Sequence, residues 1–81
     1  MSDTTTAARV IKCIAEQSGH AVDYIKPADT FHSLELDSID MVGIVMCIED
    51  EFDFSSIPDD DAEKFSTVQD VIDYVTKEIE K

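Results

Sequence analysis

Residues 37–52 read DSIDMVGIVMCIEDEF, and this stretch predicts the second helix of a small helical protein. Apolar residues recur in it at i, i+3, i+4, i+7 and i+11, the spacing of one buried helix face. A second apolar line is displaced around the same helix and runs away from Ser38. The predicted core face comprises Met41, Ile44, Val45, Ile48 and Phe52, and the second line comprises Ile39, Val42 and Met46.

Three further helical segments fit the chain on either side of this stretch. The first covers about residues 6–17 and stops at Gly19, and the last starts near residues 66–67 and continues toward Glu78. Pro58 and the aspartates at 59–61 suit the first turn of a short helix, where carboxylates meet the positive end of the dipole. We therefore predict an all-α fold, a small four-helix bundle with a short third helix.

A long loop is predicted between helices one and two, because the helical pattern breaks from His20 to Leu36. The sequence pattern leaves open the alternative that a strand forms within this loop. Its isolated apolar residues, Val22, Ile25, Phe31 and Leu34, are expected to attach the loop to the core. We expect one domain over residues 1–81, with residues 1–5 flexible.

Charge restricts the partners that the protein can bind. Nineteen Asp and Glu against six Lys and Arg give a net charge of -13. Such a charge repels nucleic acid and anionic membranes. Between Lys26 and Lys64 there are twelve acidic residues and no Lys or Arg, so this half of the chain should steer toward basic protein surfaces.

Neither a targeting segment nor a metal site is indicated. The first residues lack the positive start and apolar stretch of a secretory signal, and no segment approaches membrane-spanning length, so a cytoplasmic protein without membrane insertion is expected. Cys13 and Cys47 are distant in sequence and show no CxxC or Cys/His clustering. We interpret both as reduced residues that pack in helices, and we predict no metal.

The whole chain, from helix one to the carboxyl terminus, resembles acyl carrier proteins, the phosphopantetheine-binding carriers, and two stretches carry the resemblance most strongly. One is residues 37–53, with its Asp37-Ser38-Ile39-Asp40 motif, and the other is residues 57–75. The resemblance implies that Ser38 accepts 4'-phosphopantetheine from coenzyme A, transferred by a separate phosphopantetheinyl transferase. It also implies that Asp37 caps the helix and helps to present Ser38. The arm would carry acyl groups as thioesters for fatty acid, polyketide or related lipid biosynthesis.

The resemblance further implies a docking surface for partner enzymes. These would be acyl-chain synthases, reductases, dehydratases or acyltransferases with basic surfaces, and the carrier itself would be a monomer without catalytic residues. The implied contact residues are the apolar Ile39, Val42 and Met46 together with an acidic surface of Asp37, Asp40, Glu49, Asp50 and Glu51.

Other interpretations of these residues stay open. Asp37 and Ser38 before an apolar run are often only a helix cap, and the second apolar line could widen the core. The chain could then be an unmodified, carrier-like acidic interaction domain. A serine hydrolase is disfavoured, because no G-x-S-x-G elbow is present and no nearby His or Lys would activate Ser38.

Two residues depart from the pattern of the carriers. Glu35 stands where many carriers have Gly, two residues before the Asp of the motif. Gly43 lies in the middle of helix two, where glycine costs roughly 0.5–1 kcal/mol relative to Ala. Both departures favour a specialised member over a housekeeping carrier.

Overall fold

The computed structural model describes residues 5–54 and 56–80, which form four α-helices and one short 3₁₀ turn. The helices are α1 (Thr6–Ser18), α2 (Ser38–Glu51), α3 (Asp59–Ala62) and α4 (Val68–Glu80), and the turn is Val22–Tyr24. This confirms the predicted all-α fold, with its long loop between the first two helices and its short third helix. Residues 1–4 of the segment predicted to be flexible lie outside the described residues.

The ends of α1 follow from two local signals. The Thr5 side chain accepts a hydrogen bond from the Ala8 N–H at 3.2 Å and caps the helix. At the other end Gly19 has φ 81°, a left-handed conformation that costs glycine nothing, and its N–H donates to the Ala15 carbonyl at 2.9 Å. The stop predicted at Gly19 is therefore confirmed.

The core lies where α1, α2 and α4 meet. The fully buried side chains are Val10 and Ile14 of α1, Ile44 and Ile48 of α2, and Val68, Val71 and Val75 of α4. Met41, Val45 and Phe52 are half-buried against this core, as the helical spacing of α2 predicted.

The long loop is attached to the core by three of the four residues predicted to do so. Ile25, Phe31 and Leu34 are buried. Val22 is 50% exposed, so that part of the prediction is wrong: it lies in the 3₁₀ turn, which buries none of its residues. The described loop contains no strand, only a single β-bridge between Thr30 and Thr67.

The first turn of α4 is satisfied partly by this loop and partly by its own side chains. The Val68 and Gln69 N–H groups donate to the carbonyls of Asp29 and Pro27. The Asp70 carboxylate accepts from the Ser66 and Thr67 N–H groups, both at 3.0 Å. The bonds to Asp29 and Pro27 fix the loop that leads toward α2 against the start of α4.

Contacts at both ends set the antiparallel register of α1 and α2. The Arg9 Nε donates to the Glu51 carboxylate at 2.8 Å, and a second Arg9 nitrogen donates to the Glu51 carbonyl. The guanidinium also lies 4.3 Å from the centre of the Phe52 ring. Near the other end, the end of the Gln17 side chain lies over Gly43, and a Cβ at position 43 would require this flexible group to move.

Candidate functional site

The start of α2 is built by a reciprocal pair of hydrogen bonds. Asp37 caps the helix, as predicted, by accepting from the Asp40 N–H at 3.0 Å. The Asp40 carboxylate in turn accepts from the Asp37 N–H at 3.2 Å. This capping box satisfies two backbone donors and holds the first turn rigid around the residues between them.

Ser38 is the first residue of α2, and its side chain is exposed. Within residues 5–54 and 56–80 its hydroxyl makes no hydrogen bond to another side chain, so no neighbouring base activates it. The Ser38 and Ile39 N–H groups precede the first intrahelical bond, from Met41 to Asp37, and point out of the helix end. An anion attached here gains roughly 0.3–1 kcal/mol from these donors and the helix dipole.

A ridge of exposed apolar side chains runs along α2 from Ser38. Ile39 is 79% exposed, Val42 60% and Met46 61%. These residues therefore do not widen the core, which was the alternative interpretation of the second apolar line. Large apolar side chains exposed side by side on one helix are typical of a surface that binds another molecule.

Most of the acidic residues predicted to bind partners already have intramolecular contacts. Asp37 and Asp40 form the capping box, and Glu51 pairs with Arg9. The Glu49 carboxylate accepts from the Ile57 N–H at 2.6 Å, which fixes the chain after α2. Asp50 is exposed and makes no hydrogen bond or ion pair with the described residues.

A groove of about 560 Å³ opens beside Ser38, between α2 and the segment that contains α3. Its polar lining residues are Ser38 and Glu49 on α2 and Ser56, Asp59 and Glu63 on the opposite side, and the other lining residues are apolar. The apolar lining residues are Met41, Val42, Val45, Met46, Ile57, Ala62 and Phe65. An arm attached to Ser38 would therefore have an apolar recess within reach.

The far wall of this groove is held against α4 by Tyr74, a residue that the sequence did not single out. The Tyr74 hydroxyl donates to the Asp61 carboxylate at 3.1 Å. The Tyr74 ring meets the Phe65 ring edge-on, with centroids 5.4 Å apart. Its position next to Val75 and three residues after Val71 was the sequence signal for a place near the apolar face of α4, and this signal did not reveal the contact with α3.

A compact helical bundle that presents an exposed serine at the start of its second helix, beside an apolar groove, has the form of a carrier domain. The match to a family model agrees with this class: residues 8–75 match the phosphopantetheine attachment site family. The chain belongs to this family. Its members carry a covalently attached 4'-phosphopantetheine group and are carriers, not catalysts.

The described residues fit such a group. They offer an exposed hydroxyl, unpaired N–H groups for a phosphate and an apolar groove beside them. Residues 5–54 and 56–80 contain no cluster of three or more His, Cys, Asp or Glu that could hold a metal ion. None of the helices in that part of the chain is long and apolar enough to cross a membrane.

Proposed function

We propose that the phosphopantetheine arm is attached to Ser38 and that the protein carries acyl intermediates on it. One observation carries this proposal: Ser38 is an exposed serine whose hydroxyl bonds to no other side chain among the described residues, at a helix end that favours a phosphate. In this proposal the chain acts as one carrier domain. The alternative, an unmodified interaction domain, is tested by the mass spectrometry described below.

The chain's own part in loading is positional. A phosphopantetheinyl transferase would join the Ser38 oxygen to the phosphorus that bears the pantetheine part of coenzyme A. The bond from this phosphorus to the nucleotide part breaks, adenosine 3',5'-bisphosphate leaves, and the Ser38 hydroxyl proton passes to a base of the transferase or to water. The capping box of Asp37 and Asp40 keeps Ser38 at the tip of a rigid turn. The bound arm supplies a terminal thiol that holds an acyl group as a thioester.

The groove beside Ser38 gives the carried chain an apolar environment. Its walls are mainly aliphatic and aromatic, so an alkyl chain buried there gains about 0.8 kcal/mol for each CH₂ removed from water. Sheltering of an apolar acyl chain supports a role in fatty acid, polyketide or related lipid biosynthesis.

The exposed ridge of Ile39, Val42 and Met46 serves as the contact surface for partner enzymes. Glu49, Asp50 and Glu51 lie at the end of the same helix, and their charge attracts basic surfaces and raises the association rate more than the final affinity. The partners proposed are the transferase and acyl-chain synthases, reductases, dehydratases or acyltransferases. We still predict that the protein is a monomer and is located in the cytoplasm.

Intact mass spectrometry tests the attachment residue. The protein is incubated with coenzyme A, magnesium and a broad-specificity phosphopantetheinyl transferase, and Ser38→Ala and Ser56→Ala are run in parallel. Ser56 is the matched control, because it is an exposed serine that lines the same groove. We expect one phosphopantetheine adduct on the wild type and on Ser56→Ala, and none on Ser38→Ala.

The opposite results have defined meanings. An adduct that persists on Ser38→Ala would refute Ser38 as the attachment residue. No adduct on the wild type with several transferases, including that of the host, would favour the unmodified interaction domain. Circular dichroism should show that Ser38→Ala keeps its helices, since the side chain is exposed.

A second experiment tests the acyl cargo. The protein is purified from its native host, and its intact mass is measured before and after treatment with hydroxylamine, which cleaves thioesters. We expect extra mass beyond the arm that hydroxylamine removes, and the size of this mass identifies the acyl group. A holo-protein that never shows such a mass would contradict acyl transport.

A further inference from the structure

The contacts between α1 and α2 place the two cysteines of the chain opposite each other. Arg9 pairs with Glu51, and Gln17 lies against Gly43. Cys13 is four residues from both Arg9 and Gln17, and Cys47 is four residues from both Gly43 and Glu51. Since residues four apart share one helix face, the middle of this antiparallel contact lies at Cys13 and Cys47.

The two thiols differ in their access to solvent. Cys13 is 2% exposed and belongs to the core. Burial raises the pKa of the Cys13 thiol well above its ordinary range, and the neighbouring Cys47 side chain raises it further. Cys47 is half-buried and lines an open cleft together with Gln17, Gly43 and Asp50. A small reagent can therefore reach Cys47 first, and Cys13 lies behind it.

We propose that Cys13 and Cys47 form an oxidative modification site, a dithiol that closes to an internal disulfide when it meets a low-molecular-weight disulfide such as glutathione disulfide. The Cys47 sulfur attacks the reagent and releases one glutathione, which leaves a mixed disulfide on Cys47. The Cys13 sulfur then attacks the Cys47 sulfur and releases the second glutathione. Two protein thiols are oxidised, one disulfide is reduced, and the two thiol protons pass to the released glutathione.

Closure of this bond would change the mechanics of the carrier. It would tie α1 to the C-terminal half of α2, the helix that begins at Ser38 and carries the exposed ridge. It would also close a loop of more than thirty residues in the unfolded chain, which should raise Tm by roughly 10 °C or more. The inference does not depend on modification of Ser38.

The experiment uses the full chain, reduced and then incubated with glutathione disulfide. Intact mass and alkylation under denaturing conditions report the state of the thiols, and a thermal melt reports Tm. Cys13→Ala and Cys47→Ala separate the two roles. Ser38→Ala is included so that a thiol on an attached arm cannot contribute.

We expect the wild type and Ser38→Ala to lose the mass of two hydrogens, to resist alkylation, to melt at a higher temperature and to revert with dithiothreitol. Cys13→Ala should keep a stable glutathione adduct on Cys47. Cys47→Ala should react little, because its remaining thiol is buried. Any of three wild-type results would overturn the proposal: a lasting glutathione adduct, a disulfide-linked dimer, or no reaction. Closure that is lost in Ser38→Ala would overturn it as well.

Discussion

Replacement of Glu35 by Gly should stabilise the protein, because Glu35 has a backbone conformation that favours glycine. Its φ is 61°, in the left-handed region. The Glu35 N–H donates to the His32 carbonyl and the Leu36 N–H to the Phe31 carbonyl, both at 3.0 Å, the two bonds of a Schellman motif. Glu35 occupies the position of this motif at which glycine is preferred. The Gly found there in many carriers thus has a backbone reason.

The magnitude follows from two opposing terms. A non-glycine residue in the left-handed region costs about 1–2 kcal/mol. Glycine loses more backbone freedom on folding than glutamate does, and this entropic cost reduces the gain in stability by about 0.4–1 kcal/mol. The Glu35 side chain is exposed and makes no hydrogen bond or ion pair with the described residues, so little else is lost. We expect Glu35→Gly to raise the free energy of unfolding by about 0.5–1 kcal/mol, which corresponds to a rise in Tm of roughly 2–8 °C.

Urea denaturation of Glu35→Gly and Glu35→Ala isolates the backbone effect, since both variants remove the same charge. Glu35→Gly should be the more stable by about 1 kcal/mol. The matched control is Lys12, an exposed residue within α1, where the order should reverse because glycine is the worse helix former. If Glu35→Ala proves as stable as Glu35→Gly, the argument from backbone strain is wrong.

Three further predictions concern single side chains. Hydrogen bonds from the Ser66 and Thr67 N–H groups lower the pKa of Asp70 in the folded protein. The ionised Asp70 carboxylate therefore stabilises the folded protein above the pKa that Asp70 has in the unfolded chain, and this stabilisation is lost as pH falls through the lower pKa of the folded protein. Asp70→Asn should therefore lower the free energy of unfolding by about 0.3–1 kcal/mol at pH 7 and by progressively less below about pH 4, and a cost in urea melts that does not change with pH would contradict this. Burial and the Asp61 hydrogen bond raise the pKa of Tyr74 to about 12 in the folded protein. The contribution of Tyr74 to the free energy of unfolding is therefore complete below about pH 10, the ordinary pKa of tyrosine, and is lost as pH rises toward the pKa of the folded protein. In Tyr24→Phe, which leaves Tyr74 as the only tyrosine, an absorbance titration should give a midpoint near 12, and a midpoint near 10 would refute the contact. Val42→Asp should lower the kcat/KM of the transferase about tenfold without changing Tm, and Val22→Asp, at an exposed valine in the 3₁₀ turn, should leave both unchanged.

Local periodicity and capping chemistry explain why so much of the fold was predictable. The helical spacing of Ile44 and Ile48 assigned the buried face of α2 correctly, whereas the exposure of Val42 and Met46 was established only by the structure, because the sequence left open whether they widen the core. The end of α1 and the start of α2 were predicted because Gly19 and Asp37 are cap residues that act through short-range hydrogen bonds. Such signals act within a few residues, so they can be read from the sequence alone.

Contacts between elements could not be predicted in this way. The pairing of Arg9 with Glu51, of Glu49 with Ile57 and of Tyr74 with Asp61 depends on how separate segments are placed against each other. The proximity of Cys13 and Cys47 depends on the register of two helices separated by a long loop. A helical period fixes which face is apolar, but it does not fix which residue of one helix meets which residue of another.

These contacts decide how the proposed docking charge can be tested. Substitution of Glu49 or Glu51 would remove a bond to Ile57 or Arg9 together with the charge, and changes at Asp37 or Asp40 would break the capping box. Asp50 is the one member of the predicted acidic surface without such a bond among the described residues.

Asp50→Asn should therefore report electrostatic docking alone. We expect it to lower the kcat/KM of the transferase severalfold at low salt and to leave Tm unchanged, since the side chain is exposed. At 1 M salt, where the screening length is about 3 Å, the wild type and the variant should converge. An equal loss at all salt concentrations would mean that Asp50 acts through a direct contact, and no loss at any concentration would remove it from the docking surface.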